Sequence, residues 1–258
     1  MKILITGGDG YIAKSISKGL WNGSDRYDIT SINRKDFDLT DREATDKWFY
    51  GKHFDVVIHT AVKGGSRLSE DNSDIFYQNI QMFYNLLNNK SSFGKLINFG
   101  SGAERQMPTD PYGLSKNVIN KLIQFEPNFY NIRIFGVFDE NELNTRFIKN
   151  NINNYIDKKE ITIYQDKLMD FFYMKDLVEV VKYYIIKTNL PKITECVYPR
   201  KLFLSDIAKM INKLSSYKVP IKLLDSRTSP PYIGNTPSID IKTIGVTKGI
   251  KEVYNKLK

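Results

Sequence analysis

Tyr112 and Lys116 are the residues of this chain whose types and spacing most directly suggest chemistry. They stand four residues apart in the segment PYGLSK, directly after Pro111. Proline is common in the first turn of a helix, and a spacing of four puts both side chains on one helical face. A phenol with an ordinary pKa near 10 is a poor acid or base at neutral pH, but a neighbouring ammonium lowers that pKa. The pair therefore predicts acid–base catalysis by Tyr112.

Ser101 is the predicted third member of this group. It follows the predicted strand KLINFG, and ten residues separate it from Tyr112. Ligands bind outside the carboxyl ends of parallel strands, where a serine hydroxyl can hydrogen-bond a substrate carbonyl. We predict that Ser101, Tyr112 and Lys116 are catalytic, that Gly102 borders the substrate, and that Lys116 also holds the ribose of a nicotinamide cofactor.

A glycine turn at the start of the chain predicts a dinucleotide site. The strand KILIT runs into TGGDGYIA, in which Gly7, Gly10 and Ala13 have the spacing G-x-x-G-x-x-[GA]. A tight turn needs residues without Cβ where the backbone approaches a pyrophosphate, and the following helix offers free N–H groups. We predict that Gly7, Gly10, Tyr11 and Ile12 bind the cofactor.

The end of the second predicted strand indicates which dinucleotide binds. NAD-binding folds commonly place a carboxylate there for the ribose hydroxyls, whereas this strand ends in SINRK. Arg34, assisted by Lys35, can pair with a 2′-phosphate, which predicts NADP(H). The alternative, that both are ordinary surface cations and NAD binds, stays open. Asp38 and Leu39 are placed to meet the adenine.

These residues are predicted to lie on alternating strands and helices. Predicted strands cover 2–6, 28–33, 55–61, 95–100 and 131–138, and predicted helices cover 10–20, 42–49, 74–88 and 112–125. The pattern predicts an α/β protein with a Rossmann-type doubly wound parallel sheet and helices on both faces. From about Gly136 the pattern changes to a helix over 141–156, a strand over 160–164, and helices over 176–186 and 204–214. We predict a nucleotide domain, 1–135 plus about 170–190, and a smaller C-terminal substrate lobe, 136–169 and 191–258.

Composition excludes several other classes of protein. The 258 residues include one cysteine and two histidines, so neither an intrachain disulfide nor a zinc site is expected, and no metal is predicted. Cys196 and His59 are interpreted as buried core residues. The lysines behind the net charge of +9 are scattered, so we expect no nucleic-acid partner, although that charge would attract polyanionic small molecules. Without an apolar run of about 18 residues or a signal peptide, we expect a cytoplasmic protein without membrane contact.

Taken together, these motifs resemble those of extended short-chain dehydrogenases/reductases in the NAD-dependent epimerase/dehydratase family. The resemblance covers TGGDGYIA, HTAVKGG, FYQNIQMFYNLL with Asn79, GSGA, PYGLSK, RIFGVF, and DFFYMKDLVEVV with Asp176. NRKDFDLTD followed by VVIHTAVKGG is most similar to GDP-L-fucose synthases and related NADPH-dependent 4-keto-6-deoxysugar reductases.

The resemblance implies hydride transfer from NADPH to C4 of a nucleotide-activated 4-keto-6-deoxyhexose. Tyr112 would protonate the developing alkoxide and Ser101 would align the oxygen. It further implies a homodimer built from the helices 74–88 and 112–125. The implied additional contacts are Ala61, Lys63 and Asn79 to the cofactor, and Lys63, Arg146 and Lys149 to the substrate. Asn79 is also expected to bond the main chain near the site.

The chain departs from the family pattern at three points. Ala103 stands where fucose synthases have an epimerising cysteine, and no histidine lies near Arg146, which favours a plain reductase. The segment between Ser101 and Tyr112 is shorter than usual. Met169 replaces an arginine that commonly binds the substrate diphosphate, and Lys167, Arg146 or Lys149 are its candidate replacements.

Other functions stay open. An NAD-dependent 4-epimerase uses the same tyrosine, lysine and serine without net redox change, although Arg34 argues against it. A non-catalytic NADP(H) sensor is a further alternative, but such proteins tend to lose the Tyr/Lys pair. A dehydratase is disfavoured because it needs a Thr-Asp-Glu run. Glu104, the nearest acid, is expected to be solvated.

Overall fold

A computed structural model describes residues 1–21, 26–65, 71–227 and 229–258 of the chain. They form two compact units. The first unit consists of Met1–Arg133 and Val178–Thr194, and the second of Ile134–Leu177 and Glu195–Lys258. The chain crosses between the units three times, and one of these crossings, from Leu177 to Val178, falls within a helix.

The first unit is built on a six-stranded sheet with the order β2-β1-β3-β4-β5-β9. The pairs β1–β2, β1–β3 and β3–β4 run parallel. Chain order reverses on the two sides of β1, which is the kind of switch point at which α/β proteins bind ligands. The strands are β1 (Lys2–Thr6), β2 (Asp28–Ile32), β3 (Phe54–His59), β4 (Phe93–Ser101), β5 (Phe129–Ile134) and β9 (Ile193–Glu195).

Helices cover this sheet, which confirms the predicted α/β fold. Leu4, Val57 and Leu96 are fully buried in one cluster with apolar residues of α2, α3 and α5. The connections β1–α1–β2 and β2–α2–β3 run in opposite directions along the sheet. Because such crossovers are right-handed, α1 and α2 lie on opposite faces. The helices are α1 (Tyr11–Trp21), α2 (Arg42–Phe49), α3 (Ser73–Asn88), α4 (Ala103–Gln106), α5 (Pro111–Ile123) and α7 (Met174–Ile186), and α7 crosses the unit boundary.

The second unit combines two short sheets with three helices of its own. The strand β6 (Val137–Phe138) pairs in parallel with β8 (Phe172–Tyr173), and β7 (Ile161–Gln165) with β10 (Ile221–Asp225). Its helices are α6 (Phe147–Ile156), α8 (Leu204–Ile211) and α9 (Val246–Leu257). Their buried aliphatic and aromatic side chains form one apolar core with those of β7.

Several predicted elements need correction. The strand predicted over 131–138 is divided, because the carbonyl of Gly136 accepts a hydrogen bond from the Phe172 N–H at 2.7 Å and β6 joins another sheet. The helix predicted from 141 begins at Phe147. Asp139 accepts from the Asn141 N–H in the preceding turn, and Glu142 accepts from the Lys149 N–H in the first turn of the helix. The helix predicted over 204–214 ends at Ile211. The elements α4, β10 and α9 were not predicted.

Two predictions about buried residues are confirmed. His59 is 3% exposed and its Nδ1 lies 2.8 Å from the Thr6 hydroxyl oxygen. Burial lowers the pKa of His59 to about 3, so the ring is neutral. Cys196 is 2% exposed. In the part of the chain that the structure describes, no helix has the length and apolar character needed to cross a membrane.

Glu142 gives the second unit a testable pH dependence. It is 4% exposed, and its carboxylate accepts a hydrogen bond from the Lys149 N–H at 3.1 Å. Burial raises its pKa from 4.5 to about 8. The folded protein then binds the proton more tightly than the unfolded chain, so stability falls as pH rises between these two values. We expect Glu142→Gln to remove this loss. The substitution should therefore raise the free energy of unfolding, relative to the wild type, by about 4 kcal/mol more at pH 8 than at pH 4.5.

Urea unfolding of the wild type and Glu142→Gln across this pH range measures the effect. Glu160→Gln is the matched control, because the Glu160 side chain is 46% exposed in the same unit and should leave the pH profile unchanged. Parallel profiles for the wild type and Glu142→Gln would contradict the prediction.

Candidate active site

The glycine turn lies between β1 and α1, at the switch point of the sheet. Gly7 has a φ of +73°, and a Cβ there would lie 2.7 Å from both the Cα and the N of Ala61. The Gly10 N–H donates to the Gly7 carbonyl at 2.8 Å. Two separate features therefore require glycine at position 7: the left-handed backbone conformation and the close contact with Ala61, after β3.

A cleft of about 360 Å³ opens above this turn. It is formed by the segments that follow β1, β2 and β3, as expected at a switch point. Seven of the predicted cofactor residues line it: Gly7, Gly10, Arg34, Asp38, Leu39, Ala61 and Lys63. Tyr11 and Ile12 instead begin α1, and Asn79 lies on α3.

The cleft is lined by both positively and negatively charged side chains. Arg34 is exposed and Lys63 half-buried. The pKa of Asp38 is lowered mainly by the hydrogen bond from the Thr40 N–H, with further contributions from the Thr40 hydroxyl and the positive charges of Arg34 and Lys63. Asp38 is therefore ionised at neutral pH, and part of the positive potential of Arg34 is offset locally.

Tyr112 and Lys116 lie on the first turns of α5, and Ser101 ends β4. The Lys116 side chain is buried, and its Nζ donates to the Phe99 carbonyl at 2.7 Å. The same Nζ is 5.9 Å from the centre of the Tyr112 ring. Burial lowers the pKa of Lys116 to about 8, and the charge of Glu104 opposes that shift. The helix thus brings the phenol and the ammonium to one site, as their spacing predicts.

One loop joins the cleft to the tyrosine. The amide of Asn79 holds both main-chain groups of Lys63, at 2.8 and 3.0 Å, and donates to the Ser115 hydroxyl at 3.0 Å. Two residues further on, a Cβ on Gly65 would lie 2.8 Å from Cζ of Tyr112. The prediction that Asn79 bonds main chain near the site is confirmed, and the segment 63–65 connects the cleft lining to the phenol ring.

The prediction for Glu104 is wrong. Glu104 is 1% exposed and forms an ion pair with Arg133, with Oε2 and Nη2 2.8 Å apart. The short helix α4 turns this side chain back under the end of β4, where its Oε1 accepts from the Ser101 N–H at 2.8 Å. The Ala103 N–H donates to the Ser101 hydroxyl at 3.2 Å, and Gly102 precedes α4 as its buried N-cap residue.

The residues predicted to contact the substrate from the second lobe lie in the second unit. Arg146 is exposed and precedes α6. Lys149 donates from Nζ to the Glu142 carbonyl at 2.7 Å. Met169 is 4% exposed and belongs to the apolar core. Asp176 of DFFYMKD is buried and accepts from the N–H groups of Ile244 and Gly245 at 2.7 and 3.0 Å.

Several residues of the cleft were missed from sequence: Thr6, Asp9, Ile32, Asn33, Phe37, Thr60, Val62 and Met82. Thr6 and Ile32 end β1 and β2, and Asn33 and Thr60 directly follow β2 and β3, so position at a strand end was a usable signal for these four. Phe37 also stacks on Trp48, with ring centres 5.3 Å apart, which fixes one wall. Among the described residues, no group of three or more His, Cys, Asp or Glu side chains could hold a metal ion.

Comparison with solved structures finds the same architecture in enzymes of sugar nucleotides. The GDP-L-fucose synthetase of Naegleria fowleri bound to NADP is 15% identical, with a TM-score of 0.78 over 98% of this chain and 91% of that one. The dTDP-4-dehydrorhamnose reductase of Clostridium acetobutylicum is 20% identical, with a TM-score of 0.78 and coverage of 100% and 99%. The UDP-glucose 4-epimerase of Thermotoga maritima with UDP-glucose is 16% identical, with a TM-score of 0.78 and coverage of 100% and 98%.

At these identities the likeness establishes the fold, and the family follows from the sequence. A search of curated protein sequences gave no match. The family model described as NAD dependent epimerase/dehydratase matches residues 3–194, which is most of the chain. With the glycine turn, Ser101 and the Tyr112–Lys116 pair in the matched segment, the chain belongs to the NAD dependent epimerase/dehydratase family.

Proposed function

We propose that this protein reduces the 4-keto group of a nucleotide-activated 6-deoxyhexose with NADPH. The observation that carries the proposal is the end of β2, where the chain continues from Ile32 into Asn33 and Arg34 rather than into a carboxylate, and where Arg34 lines the cleft. A 2′-phosphate needs a cation at this point, whereas an NAD ribose needs an acceptor. NADPH is oxidised in a net reduction, so a preference for NADP(H) favours a reductase.

The residues of the cleft fit such a cofactor. Gly7 and Gly10 leave the backbone open to a pyrophosphate, and the first turn of α1, with Tyr11 and Ile12, presents N–H groups to it. Arg34 would pair with the 2′-phosphate. Asp38 and Leu39 would meet the adenine, and Ala61 and Lys63 would border the nicotinamide end. When bound, NADPH supplies the hydride that is transferred to C4.

The catalytic residues would then complete the reduction. The Tyr112 hydroxyl donates its proton to the substrate oxygen as the carbonyl becomes an alcohol, while Ser101 holds that oxygen. Lys116 stays next to the phenol and stabilises its anion after the proton has left. Arg146 and Lys149 are our candidates for the diphosphate of the sugar nucleotide, with Lys63 and Gly102 on the sugar side.

The first experiment compares NADPH and NADH binding to the nucleotide-free protein by calorimetry. We expect at least tenfold tighter binding of NADPH, which corresponds to about 1.4 kcal/mol. Arg34→Ala should bring the two affinities together, whereas Arg42→Ala, an exposed cation on α2, should preserve the preference. A panel of nucleotide-activated 4-keto-6-deoxyhexoses would then be screened for NADPH oxidation.

An NAD-dependent 4-epimerase is the second candidate, since the same tyrosine, lysine and serine serve both reactions. Solved structures with this fold include the UDP-glucose 4-epimerase of Thermotoga maritima as well as the NADP-bound GDP-L-fucose synthetase and the dTDP-4-dehydrorhamnose reductase named above. Preference for NADH, or NAD that remains bound through purification, would favour the epimerase. Binding of neither nucleotide would contradict both.

We further propose that the enzyme is a cytoplasmic homodimer. The helices α3 and α5 pack against each other and present exposed apolar side chains, including Tyr77, Tyr84 and Leu114. Burial of these side chains against a second copy would form a four-helix interface.

A further inference from the structure

A buried carboxylate outside the predicted catalytic group lies directly beneath it. Both carboxylate oxygens of Glu104 have partners: Oε1 accepts from the Ser101 N–H at 2.8 Å, and Oε2 accepts from Nε and Nη2 of Arg133 at 3.0 and 2.8 Å. The Nδ2 of Asn131 adds a bond to Oε1 at 3.2 Å. The exposed fractions of the Arg133 and Glu104 side chains are 7% and 0%.

The surrounding backbone is shaped around this carboxylate. A Cβ on Gly100 would lie 2.1 Å from Oε1 of Glu104 and 2.6 Å from Oδ1 of Asn131. On the other side, the Glu104 carbonyl accepts from Nδ2 of Asn117 at 2.8 Å, and Asn117 follows Lys116 on α5. Glu104 therefore touches both the strand that ends in Ser101 and the helix that carries Lys116.

Stability alone does not account for this arrangement. A buried ion pair loses its hydration, and apolar residues of similar volume are often as stabilising or more so. The charge does have a second effect, on Lys116. The Lys116 Nζ bonds the carbonyl of Phe99, next to Gly100, whose Cβ position lies 2.1 Å from Oε1 of Glu104, and this nearby negative charge favours the ammonium form. Among the described residues, His59 and Tyr112 also lie beside Lys116, but the His59 ring is neutral and the Tyr112 ring is uncharged while its proton is in place.

We propose that Glu104 is a positioning residue, which holds the main chain of Ser101 and supplies the negative charge that acts on the buried Lys116 ammonium. Arg133 compensates the carboxylate and fixes its orientation. The roles of Ser101 and Lys116 in this proposal rest on the proposed function, whereas the electrostatic link between Glu104 and Lys116 does not.

The test removes both charges together, because loss of Glu104 alone would leave a buried guanidinium unpaired. In Glu104→Gln/Arg133→Gln the two amides can bond each other and the Ser101 N–H. The pKa of Lys116 is followed by NMR of protein labelled with ¹³C at lysine Cε, with Lys116→Met to assign the signal. We expect this pKa to fall by about one unit, a tenfold change in proton affinity.

The kinetic readout is the pH profile of kcat/KM for reduction. Because Glu104 favours the ammonium form of Lys116, the alkaline limb of the profile should move to lower pH in the double variant by the same amount as the pKa of Lys116. The value of kcat/KM near pH 6.5 should change much less. A purely structural role would lower kcat/KM equally at all pH values. Glu126→Gln, which breaks the surface pair with Lys90 in the same unit, should change neither the limb nor the pKa of Lys116.

Glu104→Asp retains the charge and shortens the side chain. It should keep the pKa of Lys116 near that of the wild type and lower kcat, because the carboxylate withdraws from Ser101. An unchanged pKa of Lys116 in the double variant would overturn the proposal. Failure of both variants to fold would also overturn it, since Glu104 would then serve fold stability. If the wild type reduces no ketosugar, the proposed function fails while the NMR titration still decides this inference.

Discussion

Tyr112→Phe should lower NADPH-dependent reduction by about 10²–10⁴-fold, the usual contribution of a positioned general acid. The variant retains the ring that lies against Gly65 and loses only the hydroxyl, so neither the packing of the loop nor the cofactor cleft should change. We therefore expect the affinity for NADPH and the melting temperature to stay close to those of the wild type. Single-turnover measurement of NADPH oxidation with a reducible ketosugar measures the loss directly.

The matched control for this substitution is Tyr50→Phe. Tyr50 is 89% exposed and follows α2, so removal of its hydroxyl should leave turnover unchanged. A Tyr112→Phe enzyme that retains more than a tenth of wild-type turnover would remove Tyr112 from the role of proton donor. Biological activity that survives in this variant would favour the non-catalytic sensor.

Gly7→Ala should abolish tight binding of the dinucleotide, with a fall in affinity of more than about tenfold. Two costs combine at this position. A residue with Cβ in a left-handed conformation costs about 1–2 kcal/mol, and here the new Cβ would also lie 2.7 Å from main-chain atoms of Ala61. A backbone contact cannot be relieved by a rotamer change, so the turn or the segment after β3 must move. Both line the cleft.

Gly51→Ala separates these two costs. Gly51 has a φ of +70°, almost that of Gly7, and nothing lies within 4 Å of the position its Cβ would take. It should lose stability from the conformation alone and retain its affinity for NADPH. Calorimetric titration and thermal melting of both variants make the comparison. Equal affinities in Gly7→Ala and Gly51→Ala would mean that the approach to Ala61 does not shape the site.

The sequence by itself determined the parts of this protein that depend on local spacing. The glycine turn between a strand and a helix, the Tyr112–Lys116 pair one helical turn apart, and the apolar pattern of each single strand and helix are all local features of the sequence. Such patterns are fixed by helix and strand periodicity, so they predicted the α/β fold and the elements that line the cleft. The expectation that Asn79 bonds main chain came from the family resemblance rather than from local spacing, and its two bonds to Lys63 agree with it.

Only the tertiary structure decided the features that depend on residues distant in the chain. Glu104 looked like a solvated acid, and it is buried because Arg133, 29 positions away, arrives beside it on β5. In the same way, Gly65 meets Tyr112 and Gly7 meets Ala61 through contacts that no local period encodes. In the second unit, α9 and β10 were unforeseen. The buried residues Ile250, Val253 and Tyr254 of α9 recur at helical spacing, so this helix carried a local signal that the sequence interpretation missed. The short strand β10 is defined only by its pairing with β7.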